Sequence, residues 1–329
     1  MTQNNKELKL ALIGCGSLGR VHAECVSKIE GAVFSAYVDI NQEAADKALA
    51  DFGGDYATTD ARKVFDDPKI DAVYICTLHD SHAPLAIEAA NAGKHIFVEK
   101  PLALNIEACE EVAATVEKTG VVLMPAFKMR YYPLIKKARE FIPNPSIIVG
   151  QMMDNRWGDD KWAQDPILGG ANVHSQGCHT TDIIRYLSGS EPESLWAAGG
   201  MMTHPGHECI DQCVASIKFK SGCVGSWVQG DSSCPPFTSK FFFQLYGADG
   251  KSVQLYDRLK KATFFDGEKT WTEVREDEEG FQLENEEFIK ALSEGRQPEL
   301  IVDDGIQATR IVLAADKAIR SGDVQHFST

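Results

Sequence analysis

Leu8-Lys9-Leu10-Ala11-Leu12-Ile13-Gly14-Cys15-Gly16-Ser17-Leu18-Gly19 is the stretch on which the fold turns. Leu8 to Ile13 is an apolar run of strand length that ends in glycines, which predicts a buried strand. The GxGxxG motif after it opens a helix expected over Ser17 to Lys28. The first glycine permits a tight turn, the second lets the backbone approach a pyrophosphate, and the third lets helix meet strand. The helix N-terminus then faces the phosphates. The plainer alternative is a glycine-rich turn and an ordinary surface aspartate. Asp39 ends a second strand expected over Ala32 to Val38, about 20 residues past the motif. A carboxylate there accepts hydrogen bonds from the adenine ribose and repels a 2′-phosphate. Ile40 follows, where an arginine would serve such a phosphate. Gly14, Cys15, Gly16, Ser17, Leu18, Gly19, Asp39 and Ile40 are therefore assigned to a dinucleotide, NAD rather than NADP.

Further along, helices are expected over Gln42 to Asp51, Pro84 to Ala92 and Ile106 to Thr119. Strands are expected over Ala72 to Thr77, His95 to Val98 and Val121 to Pro125. Strands alternating with helices mean a parallel, doubly wound α/β sheet. The pattern changes after Ala126. A helix over Tyr132 to Phe141, a strand over Ser146 to Met153 and a helix over Ser175 to Leu187 follow. Strand-like segments then fill Ser194 to Glu273, clearest at Val214 to Phe219, Val224 to Gln229 and Lys240 to Tyr246. Short turns join them, so this second sheet is largely antiparallel. Helices over Phe281 to Glu294 and Asp304 to Ser321 close the chain. Two domains are expected, 1–126 and 127–329, with the last helix, about 304–321, packing back on the first.

Composition sets the class. With 43% hydrophobic and 25% charged residues over 329 positions, the chain reads as a soluble globular protein. A formal net charge of −15 disfavours nucleic acid and anionic membrane as partners. The excess acid over Glu276 to Glu287 reads as a solvated loop and helix start. No apolar run is long enough for a membrane helix, and the polar N-terminus lacks a signal-peptide core, so a cytoplasmic protein is expected. Nine cysteines without a CxxC pair suggest reduced thiols. Cys15, Cys76 and Cys178 read as small buried residues. His204, His207 and Cys209 have ligand-like spacing but no evident fourth ligand, so no metal is assigned.

Ala89-Ala90-Asn91-Ala92-Gly93-Lys94-His95-Ile96-Phe97-Val98-Glu99-Lys100-Pro101 resembles the AGK-to-EKP segment of the Gfo/Idh/MocA oxidoreductases. Phe127 to Pro133 is similar to that family's start of a second domain. Gly169-Gly170 through His179 to Asp182 is similar to its glycine-rich turn and catalytic helix, and Asp304-Gly305 to Ala318 to its C-terminal helix. The resemblance covers nearly the whole chain. It implies a Rossmann domain followed by an α+β domain on a large open sheet. One face of that sheet would cover the active site and the other support a homo-oligomer, a dimer or tetramer. It implies a secondary alcohol on a sugar or cyclitol ring as substrate.

By the same resemblance, Lys100 and His179 are catalytic. Lys100 would polarise the reacting oxygen and stabilise developing alkoxide charge; the plainer alternative is a solvated lysine after a strand. His179 would take the hydroxyl proton, a transfer suited to a histidine of ordinary pKa near ~6.5; its alternative is a core histidine bonded to a carbonyl. Many members carry an aspartate or asparagine four residues before this histidine, where Ser175 stands here. Residues four apart share a helix face, so Ser175 would orient the imidazole without charging it, with Gln176 and Asp182 as substitutes. Thr77, His79 and His82 resemble a loop that lies along the cofactor; His82 either touches the cofactor or packs against the next helix. Glu99 joins that cofactor set. Arg156, Trp157 and Trp162 suit a sugar, whose C–H face stacks on aromatic rings, or else the tryptophans pack between domains. Arg130 and Tyr131 could reach the pocket, or Arg130 could pair with the acidic surface. Net oxidation to a keto-sugar leads. Transient oxidation on retained NAD that cleaves a glycoside, and an NAD-binding sensor without catalysis, are the alternatives.

Overall fold

The structure, a computed structural model, describes residues 7–233, 239–276 and 280–327. Cys234, residues 277–279 of the acidic stretch and residues 1–6 lie outside it. The chain divides into two compact units, residues 1–128 with 281–306 and residues 129–280 with 307–329. A single crossing near 126 thus meets a chain that crosses back.

The first unit contains β1 (Leu8–Ile13), α1 (Ser17–Val26), β2 (Ala32–Val38), α2 (Gln42–Phe52), β3 (Tyr56–Thr58), α3 (Arg62–Phe65), β4 (Ala72–Ile75), α4 (His79–Asn91), β5 (His95–Val98), α5 (Ile106–Thr119) and β6 (Leu123–Pro125). Its sheet runs β3-β2-β1-β4-β5-β6 and every pairing is parallel. That order reverses between β1 and β4, the point where such sheets bind ligands beyond their strand ends. The helices are set by their ends. Asn105 caps α5 by accepting the Ala108 N–H at 2.8 Å, and Gly120, at φ +72°, closes it in the left-handed conformation. One face of the sheet buries Ile13, Val38, Ile75 and Val98 with the alanines of α4 and with Cys109 and Val112 of α5. Four alanines on α4, at 83, 86, 89 and 90, let that helix lie close to the strands.

Two expectations shift here. β4 ends at Ile75, so Thr77 lies in the turn beyond it. α4 starts at His79 rather than Pro84. Leu78 is extended at its N-cap, and the Ser81 hydroxyl bonds both the Leu78 carbonyl and Thr77 Oγ1. Pro84 is tolerated in the second turn, where it removes only one ladder bond.

The second unit contains α6 (Pro133–Phe141), β7 (Pro145–Asn155), α7 (Ala171–Ser175), α8 (Gly177–Ser188), β8 (Pro192–Gly200), β9 (Gln212–Phe219), β10 (Val224–Ser233), β11 (Phe241–Gly247), β12 (Ser252–Tyr256), β13 (Lys261–Phe265) and β14 (Thr270–Val274). α9 (Gly280–Glu294) and α10 (Val302–Ser321) follow, then β15 (Gln325–His326). The second sheet has nine strands in the order β14-β13-β12-β11-β7-β10-β9-β8-β15, antiparallel except where β7 meets β10. Residues alternate between its faces. Ile148, Ile217, Trp227, Phe243 and Leu245 are buried on one; Ile147, Trp196, Val214, Val224 and Tyr246 are exposed on the other. α7 and α8 lie on the buried face. Among the described residues no helix is long and apolar enough to cross a membrane.

The single helix expected over Ser175 to Leu187 is two helices. The break is at Gln176, whose carbonyl accepts the His179 N–H at 3.0 Å. Ser175 ends one helix and His179 stands in the first turn of the next, so the continuous-helix relation expected of them is interrupted. Gly177 allows this approach, because a Cβ there would lie 2.6 Å from a ring carbon of Trp227. Gly177→Ala should therefore overpack α8 against β10 and cost roughly 1–3 kcal/mol. A lowered urea midpoint is expected, and an unchanged one would mean that this contact does not hold α8.

Candidate active site

In the first unit the glycine turn is as tight as its sequence requires. Gly14 has φ +95°, and a Cβ on it would stand 2.5 Å from the Cys76 carbonyl oxygen. A Cβ on Gly19 would run into the Gly14 carbonyl. Gly16 has open space in the same direction, so the turn is free on its outer side, as a bound pyrophosphate demands. Ser17 and Leu18 are exposed beside it. Asp39 comes from the end of β2 to this turn. Its Oδ2 accepts the Cys15 N–H at 2.8 Å and its Oδ1 the Asn41 N–H at 2.9 Å. Two amide donors fix the carboxylate where a ribose would lie. Ile40 is nearly fully exposed. Burial, with Asp39's charge second, pushes the Cys15 thiol up to about 12, so it is a filler and not a nucleophile.

The turn after β4 and the end of β5 form the next layer. Thr77 is half-buried, and its hydroxyl accepts from Ser81 at 2.7 Å. His79 is buried, its ring 5.7 Å from that of His82. His82 Nδ1 faces the Pro101 carbonyl at 2.7 Å and Nε2 the Thr77 carbonyl at 3.2 Å. Burial lowers its pKa, so the neutral ring donates once, to the closer carbonyl. That bond ties α4 to the turn after β5 and leaves Nε2 as an acceptor facing the Thr77 carbonyl. Lys100 follows β5, is buried, and precedes a cis peptide to Pro101. Glu99 is not turned outward as a cofactor ligand either. Its Oε1 meets His22 Nε2 at 3.0 Å and its Oε2 accepts the Lys100 N–H at 3.1 Å. Burial alone would raise its pKa. The His22 hydrogen bond, aided by the Lys100 charge, outweighs burial and holds it below the usual carboxylate value.

In the second unit, His179 is buried in the first turn of α8, with Ser175 buried and Gln176 half-buried before it. Asp182, three residues on, faces Arg130. The Arg130 guanidinium grips it through Nε, at 2.9 Å from Oδ2, and through its terminal nitrogen, in a buried pair. Arg130 thus pairs with the buried Asp182 and not with the acidic surface, and Asp182 is not the substitute for the missing aspartate. Tyr131 is buried, with the Lys136 ammonium 4.9 Å over its ring. Arg156 is exposed and pairs with Asp159 at 2.7 Å. The two tryptophans differ. Trp157 is buried, its amide bonded to Asp231 at 3.1 Å and its face covered by Lys161 at 3.9 Å. Trp162 remains 39% exposed.

Several polar groups escaped the sequence reading. Thr180 Oγ1 donates to Gln229 Oε1 at 2.8 Å, and Gln229 Nε2 donates to Asn172 Oδ1 at 2.6 Å. Asn172 Nδ2 and both amide atoms of Gln164 are buried without a protein partner. In the first unit, His22, Glu284 and Asn285 are fully buried. Only His22 carried a signal: it interrupts the buried stripe Gly19, Ala23, Val26 at helical spacing.

Comparison with known proteins decides the lineage. Residues 8–127 match the oxidoreductase family with an NAD-binding Rossmann fold, and residues 144–253 match the Gfo/Idh/MocA C-terminal domain. Between them the two matches take in well over half of the chain. The chain belongs to the Gfo/Idh/MocA family. It is similar to myo-inositol 2-dehydrogenase of Thermotoga maritima, 27% identical over 95% of this chain and 96% of that one. It is likewise similar to levoglucosan dehydrogenase of Pseudarthrobacter phenanthrenivorans, 28% identical over 96% and 90%. A solved levoglucosan dehydrogenase, in complex with NADH and levoglucosan, shares the fold with a TM-score of 0.90, at 24% identity over 98% and 100%. This Gfo/Idh/MocA protein is thus an NAD-binding oxidoreductase, and its glycine turn and Asp39 fit that cofactor.

His204 is a buried residue of the second unit. Its ring is clamped between Asp159, at 2.6 Å from Nδ1, and Asp231, at 2.7 Å from Nε2. Burial alone would lower its pKa, but the hydrogen bonds to Asp231 and Asp159 and the Asp231 charge raise it above the usual histidine value. A raised folded value stabilises the fold fully below the unfolded pKa, and that stability is lost as pH rises through the folded value. Urea midpoints should fall over that window in the native protein and not in His204→Gln; parallel curves would refute the clamp.

Proposed function

We propose that this protein is an NAD-dependent dehydrogenase that oxidises a secondary hydroxyl of a sugar or cyclitol, with Lys100 and His179 carrying the chemistry. The observation behind the cofactor half is the Asp39 carboxylate fixed by two amides at the glycine turn. The names of the relatives, dehydrogenases of myo-inositol and levoglucosan, support the substrate class. When bound, NAD accepts the hydride from the carbinol carbon. The chain's own residues do the rest. Lys100 places an ammonium on the reacting oxygen and offsets its growing negative charge. An imidazole nitrogen of His179 takes the hydroxyl proton as the carbonyl forms. Ser175 and Gln176, beside His179, bind neighbouring hydroxyls, as does the exposed face of Trp162. The unpaired amide of Gln164 and the unpaired Nδ2 of Asn172 suit the same polyol, since a buried polar group without a partner is destabilising until one meets it. In the first unit the glycine turn, Asp39 and Thr77 hold the dinucleotide.

The exposed row of Ile147, Trp196, Val214, Val224 and Tyr246 on the second sheet supports a homo-oligomer through that face. The eight described cysteines form no disulfide with one another, which suits a cytoplasmic protein.

The direct test follows absorbance of NADH while the enzyme and NAD meet inositols, anhydrosugars and free sugars. A rise with a cyclitol or pyranose is expected, whereas aglycone release without NADH would overturn net oxidation. His179→Ala should lower kcat by ~10²-fold or more while NAD still binds; full activity would remove His179 from the mechanism. Asp39→Ala should weaken NAD and narrow its preference over NADP, and unchanged selectivity would remove Asp39 from the ribose site.

A further inference from the structure

The first unit holds a buried hydrogen-bond chain that neither cofactor binding nor proton transfer uses. His22 sits on α1, the helix that opens on the glycine turn, and none of it reaches solvent. Aromatic rings surround it: Phe97 at 4.9 Å, Phe281 at 5.6 Å and Tyr74 at 5.9 Å between centroids. An imidazole in such a place must have both nitrogens satisfied. Asn285 of α9 supplies one side, with its Nδ2 2.9 Å from His22 Nδ1. The same Nδ2 donates to the Phe281 carbonyl at 2.8 Å. That second bond fixes the amide, because a flipped amide would set oxygen against oxygen. Nδ1 of His22 therefore accepts, and Nε2 carries the hydrogen that is donated to Glu99. Glu99 in turn accepts the Lys100 main-chain N–H. The chain runs from α9 through α1 to the end of β5, and stops at the residue that holds the substrate oxygen.

The charges around it fit one anion. Five titratable groups face Glu99: His22, Lys100, His82, Glu284 and the Cys76 thiol, which burial pushes up and keeps neutral. Glu284, next to Asn285 on α9, is fully buried, and both its oxygens lack a protein partner. Burial first, and the charge of Glu99 second, push its carboxyl well above the usual value, against a weaker pull from Lys128. Glu284 is thus the neutral acid of the pair and Glu99 the carboxylate.

We propose that His22 is a positioning residue for Lys100: its Nε2–H fixes the Glu99 carboxylate, which fixes the Lys100 backbone, and Asn285 sets the tautomer. The role rests on the reading of Lys100 given above. It also locks Lys100 to the helix that carries the cofactor turn, so the two are held in one register. A misplacement of about 1 Å at a reacting group can lower the rate by ~10²-fold.

Three substitutions separate this from plain packing. His22→Gln keeps an amide N–H near the Nε2 position, His22→Asn keeps a group only near Nδ1, and His22→Leu keeps neither. With the substrate found in the NADH assay, His22→Leu and His22→Asn should lose ~10- to 10²-fold in kcat, with little change in KM for NAD. The acid limb of their kcat profile should move to higher pH, because Glu99 without its donor ionises less readily. His22→Gln should stay within ~3-fold and keep the native profile. Equal losses in Gln and Asn variants, or an unmoved acid limb in both Leu and Asn variants, would overturn the proposal. Nitrogen-15 spectra of the histidines in the cofactor-free protein give a readout that needs no substrate. The signal absent from His22→Gln should show hydrogen on Nε2 and a bare Nδ1; hydrogen on Nδ1 would overturn it. If the spectra agree but no sugar or cyclitol is oxidised, the functional reading has failed and the hydrogen-bond chain has not.

Discussion

Two glycines stand where no side chain fits, and the first unit is arranged around that fact. Gly19 lies against the Gly14 carbonyl, and Gly14 against the carbonyl of Cys76 beyond β4. Both contacts are shorter than any Cβ allows, so β1, α1 and β4 converge only because these positions carry none. Convergence brings the start of α1 to the reversal point of the sheet, where its N-terminal amides are open. It also brings the end of β2 alongside, so that the Cys15 amide meets Asp39. The position of the Asp39 carboxylate is therefore a consequence of backbone packing at the glycine turn.

Buried charge is handled by one rule in both units. Arg130, His204 and Glu99 each face an opposite charge or a donor at hydrogen-bond distance, and the buried acid Glu284 faces neither among the described residues. Arg130 meets Asp182 in two-pronged geometry, His204 lies between two carboxylates, and Glu99 receives His22 and a main-chain amide. Glu284 has no such partner and stays protonated. Removing one member of such a pair leaves the other uncompensated, which is more disruptive than never having buried the pair. These groups thus fix geometry more than they add stability.

The sequence was legible where local pattern governs. β1, β2, β5 and α5 have the bounds expected of them, because apolar runs, caps and glycine stops are properties of adjacent residues. The doubly wound sheet and the largely antiparallel second sheet follow from the same signals. Legibility ended where a distant partner decides. Gly177 gave no hint that a tryptophan fifty residues on would press on it and that the helix before it would break at Gln176. Arg130 and Asp182 were both noticed, yet nothing in their spacing said that they pair. Glu99 is expected to face a cofactor and His82 either to face it or to pack; the ring of His22 and the carbonyl of Pro101 hold these two side chains inward. Asn285 is a single polar letter in an ordinary amphipathic helix, and its role exists only when α9 lies against α1.

That last dependence changes what the first domain is. Tyr74 and Phe97 are completely buried, stacked with centroids 4.5 Å apart, and each meets Phe288 of α9 edge-on, at 5.6 and 5.5 Å. The strands that carry them end at the turn of Thr77 and at Lys100. A chain cut after the sixth strand would keep every residue of the glycine motif and still lack the cover over these rings. It would also lack the amide that sets the His22 tautomer. The nucleotide-binding motif is contiguous in sequence, but the unit that makes it rigid is not. Residues 281–306 complete a fold whose signature was finished more than a hundred and fifty residues earlier. The site thus depends on a segment that motif reading assigns to the other domain.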